Sequence, residues 1–90
     1  MTKEDLFYLY DDTETTKTRF VSFMGKTNRF DLALTVSSRF YGKVLVLNLQ
    51  SNRFAIVGHD DLEEEGYLEH IYQLDEEEAE ELREFLAQSI

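Results

Sequence analysis

The sequence predicts an α+β fold: an antiparallel sheet of four to six strands with a C-terminal helix packed on one face. Three observations carry this reading. Residues 17–58 fall into short apolar or alternating runs separated by turn residues, the pattern of strands and hairpins. From Asp75 onward the apolar residues recur at helical spacing. The chain has ninety residues, no proline and no linker-like tract, which fits one domain over residues 1–90.

The elements follow in order. Leu6–Tyr10 is aromatic and apolar and reads as a first strand. Asp11–Thr16 is polar and turn-like. Lys17–Met24 reads as a second strand, and Gly25-Lys26-Thr27-Asn28 as a turn. Arg29–Val36 alternates, with Phe30, Leu32, Leu34 and Val36 on one face and Arg29, Asp31, Ala33 and Thr35 on the other. After a short turn at Ser37-Ser38, Arg39–Leu49 reads as one strand with Gly42 as a bulge. Its Val44–Leu49 portion is apolar on both faces, as in a central strand covered on both sides. Gln50-Ser51-Asn52 turns the chain, and Arg53–Gly58 returns antiparallel.

His59–Gly66 reads as an acidic connector. Tyr67–Leu74 fits two templates. Leu68, Ile71 and Tyr72 make a helix stripe; Leu68, His70, Tyr72 and Leu74 make one face of a strand, and the extended reading is preferred. Asp75 with Glu78 three residues on forms a capping box. Glu76 and Glu77 complement the positive end of the helix dipole. Ala79, Leu82, Phe85, Leu86 and Ile90 supply the buried stripe of a helix over about Glu76–Gln88.

Composition narrows the function. Hydrophobic residues make up 42% of the chain, too many for a fully disordered segment, but a domain this small has a thin core. Cysteine is absent, which removes disulfides, thiolate nucleophiles and thiolate metal sites. The N-terminus has no secretory pattern, and no apolar run approaches the roughly 20 residues of a membrane span; a cytoplasmic location without membrane insertion is expected. The net charge of −10 is unevenly placed. Residues 1–58 carry eight Lys/Arg against six Asp/Glu, a surplus of +2, and residues 59–90 carry one Arg against thirteen, a deficit of −12. This acidity argues against general duplex DNA binding.

Four of the five arginines precede a phenylalanine: Arg19-Phe20, Arg29-Phe30, Arg39-Phe40 and Arg53-Phe54, the first three ten residues apart. Strand neighbours point to opposite faces, so each pair predicts a ring in the core and a guanidinium outside. Arg19 shares its face with Val21 and Phe23, Arg29 with Asp31 and Ala33, and Arg53 with Ala55 and Val57. A half-apolar face bearing arginines suits a covered surface, because arginine and aromatics are enriched at interface cores. Arg19, Arg29, Arg39, Arg53, Phe23 and Tyr41 are the candidate binding surface. One partner chemistry is acidic protein, supplied by residues 60–84 in cis or from another subunit. The other is single-stranded nucleic acid stacked on Tyr8, Tyr10, Phe23 and Tyr41 with arginines on the backbone.

No catalytic, cofactor or metal residue is assigned. His59, Asp60, Asp61 and His70 have no recognised ligand spacing, and a solvated acidic turn is the default for them. Gly25, Gly42, Gly58 and Gly66 are isolated and form no phosphate loop. Ser37-Ser38 has no nucleophile-activating partner in sequence.

The strings Thr18-Arg19-Phe20-Val21-Ser22-Phe23-Met24-Gly25, Arg39-Phe40-Tyr41-Gly42-Lys43-Val44 and Gly66-Tyr67-Leu68-Glu69-His70 resemble a family of short, uncharacterised cytosolic proteins of Gram-positive bacteria, a domain of unknown function. The resemblance spans most of the chain. It implies a single α+β domain and a cytoplasmic location, and it brings no assigned activity or functional residues.

Three functional expectations follow in order. The first is a non-catalytic homo-oligomeric protein-interaction module, a dimer or trimer, since a second subunit would relieve the thin core. The second is single-stranded nucleic-acid binding through the arginine and aromatic surface. The last is a small hydrolase using His59, Asp60, Asp61 and His70.

Overall fold

The computed structural model describes residues 6–90. Four strands, β1 (Lys17–Met24), β2 (Arg29–Val36), β3 (Val44–Asn48) and β4 (Arg53–Val57), form one antiparallel sheet in the order β1-β2-β3-β4. Three helices follow: α1 (His59–Leu62), α2 (Tyr67–Tyr72) and α3 (Glu76–Ser89). This is the α+β arrangement the sequence predicts.

All three helices contribute to one layer on one side of the sheet. Phe30, Leu32, Leu34, Val44, Val46 and Val57 come up from the strands, and Leu62, Leu68, Tyr72, Ala79, Leu82 and Leu86 come down from the helices. Asp75 caps α3 as the capping-box pattern predicts: its Oδ1 accepts from the Glu78 N–H at 2.8 Å, and the Glu78 Oε1 accepts from the Asp75 N–H at 3.0 Å. Tyr72 ties the two layers together. Its buried hydroxyl donates to the Val46 carbonyl at 2.6 Å, and burial pushes its pKa up.

Several expectations are corrected. Leu6–Tyr10 joins no strand pair; its apolar residues have β propensity, but a strand needs a neighbour to take its backbone groups. Tyr67–Tyr72 is helical, so the helix stripe prevails over the preferred extended reading. Leu68 and Tyr72, one helical turn apart, both bury against the core, and Gln73 ends the turn at φ 55°. The acidic connector begins with a helical turn, α1, where the Asp61 carboxylate accepts from the Gly58 N–H at 2.9 Å.

The strand expected from Arg39 starts only at Val44. Ser38–Phe40 is instead a 3-10 turn, capped by Ser37 Oγ, which accepts from the Arg39 N–H at 3.1 Å. Tyr41 at φ 53° and Gly42 at φ 85° then reverse the chain, so Gly42 serves a turn rather than a bulge. Nor is β3 covered on both sides. Val44 and Val46 lie under the helices, while no element among the described residues lies over Leu45 and Leu47.

Candidate docking surface on the open sheet face

Strand register decides what the uncovered face displays. Pairing runs Phe20↔Ala33↔Leu47↔Phe54 in one row and Thr18↔Thr35↔Leu45↔Ile56 in the next. Paired residues share a face, and these rows lie opposite the one holding Phe30, Leu32, Leu34 and Val46. With strands about 4.8 Å apart, the Phe20–Phe54 row spans roughly 14 Å. Phe20 is 72% exposed, Phe54 65% and Ile56 43%. Leu45 and Leu47 are half-buried between them, and Ala33 is covered by its neighbours. The result is a contiguous apolar patch across all four strands.

One end of this face is polar. Asp31 Oδ1 accepts from the Ser22 hydroxyl at 2.6 Å and from Arg29 Nε at 3.2 Å, and Oδ2 accepts from Gln50 Nε2 at 2.7 Å. These donors, Ser22 first, hold the Asp31 carboxyl below the usual carboxylate range. Toward the other end, the Thr18 and Thr35 hydroxyls bond across the strands at 2.8 Å. The open face thus has an apolar centre with an ordered polar edge.

The arginines do not form one row. Arg19 and Arg53 are on the helix-covered face, where register places Arg19 opposite Leu34 and Arg53 opposite Asn48. Arg19 packs over the Phe85 ring with its guanidinium carbon 5.7 Å from the centroid. Arg29 is on the open face, paired to Asp31 at 3.2 Å. Arg39 lies in the 3-10 turn and pairs with Asp12 at 3.0 Å and Glu14 at 2.7 Å. Those partners come from the N-terminal segment rather than from the acidic C-terminal third. Phe23 is half-buried on the helix-covered face, stacked on Phe30 at 5.0 Å and on Phe85 at 4.7 Å. Tyr41 is 93% exposed in the turn. Among the candidate residues, Arg19 and Phe23 come together around Phe85, and the others are separate.

The phenylalanines of the four pairs also part company. Phe30 is fully buried, Phe40 is half-buried, and Phe20 and Phe54 stand on the open face. The expectation that all four rings belong to the core is therefore corrected. The open-face patch (Phe20, Leu45, Leu47, Phe54 and Ile56) is half legible in the sequence: the two-faced apolarity of Val44–Leu49 marks its centre, whereas the Arg-Phe pairs point to their arginines and hide Phe20 and Phe54.

The His59, Asp60, Asp61 and His70 group is dispersed. Lys43 Nζ lies 3.0 Å from Asp61 and 3.6 Å from Asp60, and His59 Nε2 lies 2.8 Å from the Ile90 carbonyl. His70 is exposed on α2. No helix among the described residues is long and apolar enough to cross a membrane.

A family model described as SAV0927-like matches residues 9–88. No curated protein matches the chain.

Proposed function

We propose a function for this chain, which belongs to the SAV0927-like family, a family of unknown function named after a Staphylococcus protein: it is a non-catalytic homo-oligomeric interaction module in which two copies pack open face to open face. The observation that carries this reading is the Phe20–Ala33–Leu47–Phe54 row. Two large rings on one uncovered face are more than scattered surface apolarity, and contiguous exposed patches of this kind mark interaction sites. Twofold packing makes one patch serve both subunits, because an isologous contact is self-complementary. Two sheets meeting this way stack about 10 Å apart, nearly aligned. The contact also gives a ninety-residue chain a second apolar layer that its own helices do not supply.

The division of the arginines between the two faces and a turn gives single-strand nucleic-acid binding less support than the apolar row gives assembly. Light scattering across a concentration series tests the assembly. The wild-type chain is expected to show a mass above the 10.6 kDa of one copy at high micromolar concentration. Phe20→Ser with Phe54→Ser is expected to return it to the monomer while circular dichroism stays unchanged. A wild-type mass that stays monomeric throughout would sink the proposal.

A further inference from the structure

A cavity of about 450 Å³ opens on the helix-covered side of the sheet, within the roughly 300–1,000 Å³ range of small-molecule sites. The last residue of α3, Ser89, forms one wall. Beyond it the sheet is left bare: Val36 is 62% exposed, although Leu34 on the same face is buried. Leu34, Val36 and Val44 make the floor, and Lys17 and Arg19 line the side along β1. Register explains the arrangement. Lys17 pairs with Val36, Val36 with Val44, and Arg19 with Leu34, so the two cations stand on the outer strand beside the apolar floor of the inner strands. Residues two apart on one strand are about 7 Å apart, close enough for both side chains to reach one anionic group.

Neither Lys17 nor Arg19 forms an ion pair among the described residues. Asp12 and Glu14, which precede them in sequence, are taken by Arg39 at 3.0 and 2.7 Å. Arg19 is nevertheless held in position: its guanidinium carbon lies 5.7 Å from the centroid of the Phe85 ring. A guanidinium stacked by its face keeps its in-plane N–H donors for a carboxylate, which it meets bidentately. The negative end of α3 offers only about half a charge to two cations, and the Ile90 carbonyl there lies 2.8 Å from His59 Nε2. The cavity is therefore apolar below and cationic at one rim, in a chain whose net charge is −10.

We infer that this cavity binds a small amphipathic carboxylate, a fatty-acid-like anion, with its chain on Leu34, Val36 and Val44 and its head between Lys17 and Arg19. An uncharged apolar molecule would leave the two cations without a partner, and a small polar anion would leave the valines in water. The inference concerns the helix-covered side of the sheet and does not depend on assembly through the open face.

Isothermal titration of the full chain with octanoate, below the concentration at which it forms micelles, tests the site. The expected result is saturable binding of one octanoate per chain. Acetate, which lacks the apolar chain, is expected not to bind, and octanol, which lacks the charge, to bind on the order of tenfold more weakly. Lys17→Gln with Arg19→Gln is expected to weaken octanoate binding by a similar factor, and Val36→Glu to abolish it. All three side chains are exposed, so circular dichroism is expected to stay unchanged. No saturable binding, equal affinity for octanoate and octanol, or an affinity unchanged in Lys17→Gln with Arg19→Gln overturns the inference. So does binding that appears only in Phe7→Ser with Leu9→Ser, which would assign the cavity to the chain's own Leu6–Tyr10 segment. The two readings fail separately. Phe20→Ser with Phe54→Ser, which removes the open-face patch, is expected to bind octanoate as the wild type does; loss of binding there would move the site to the open face and overturn the inference.

Discussion

Phe20 and Phe30 occupy the same dipeptide and meet opposite fates, and replacing each with alanine measures the difference. Phe30 is fully buried and stacks on Phe23. Phe30→Ala is expected to cost about 3–5 kcal/mol for the lost contacts and the cavity. A chain of this length has a total stability of roughly 5–13 kcal/mol, so the variant sits near the limit of folding. With a urea m-value of about 1.5 kcal/mol/M, the midpoint falls by roughly 2–3 M. Phe20 is 72% exposed and touches mainly its cross-strand neighbours, a contribution of about 0.2–1 kcal/mol. At a concentration where the chain is monomeric, Phe20→Ala therefore moves the midpoint by well under 1 M.

Above the dissociation constant the comparison changes. Burying the exposed part of that ring in a partner is worth about 1–2 kcal/mol per copy and counts twice across a twofold axis. Association in the proposed dimer is thus expected to weaken by roughly 30- to 700-fold. Urea unfolding at two protein concentrations, with sedimentation equilibrium for the assembly, reads both effects. A Phe20→Ala cost equal to that of Phe30→Ala at the lower concentration would refute the assignment of faces. A cost independent of concentration would refute the twofold contact.

Three further outcomes are expected. Tyr72→Phe removes the 2.6 Å bond to the Val46 carbonyl and is expected to lower stability by about 0.5–1.5 kcal/mol in urea melts. Because burial raises the folded pKa of Tyr72, its contribution is intact below the unfolded value of about 10 and is lost as pH rises through the folded value. Ultraviolet titration should show one tyrosine ionising only on alkaline unfolding. Asp61 behaves oppositely. The Gly58 N–H first, and then Lys43, hold its carboxyl below 3.8, so its contribution is present above that value and is lost as pH falls through the folded pKa; Asp61→Asn should flatten the acid limb of a stability profile below pH 4. Finally, a Cβ at Gly25 would collide with the Glu81 carboxylate, which accepts from the Lys26 N–H at 2.6 Å. Gly25→Ala should cost about 1 kcal/mol in a urea melt, and clearly less in a Glu81→Ala background.

The element types of residues 17–36 and 44–58 and the cap of α3 are readable because each rests on local chemistry: alternation, turn residues and the Asp75–Glu78 box. The faces were harder to read, and the reason is the parity of the connections. Residues 25–28 and 49–52 are loops of even length, so β1 pairs with β2, and β3 with β4, such that an even-numbered residue sits beside an odd-numbered one. Phe20 consequently shares a face with Ala33, not with Phe30, although the Arg-Phe spacing looks regular. A one-residue change in loop length or register reverses which side chains are inside, and loop length becomes definite only once strand ends are known. Tyr67–Leu74 was ambiguous for another reason: its apolar positions satisfy both periods, and only packing against β4 and α3 selects the helix. The Leu6–Tyr10 segment has strong β character, but no pattern within a sequence says whether a partner strand is available.

The nearest-neighbour order of the four strands also has a kinetic meaning. Each strand pairs with the one just made, and the hairpins close over short loops of four, seven and four residues, so little chain entropy is lost before each pairing is rewarded. The helices arrive last in sequence and close the one layer the sheet cannot cover. With no proline in the chain, the isomerisation step that slows many refolding reactions is absent. Monomer folding should be rapid and single-phased, so that a slow phase whose rate rises with protein concentration would report the proposed docking between copies.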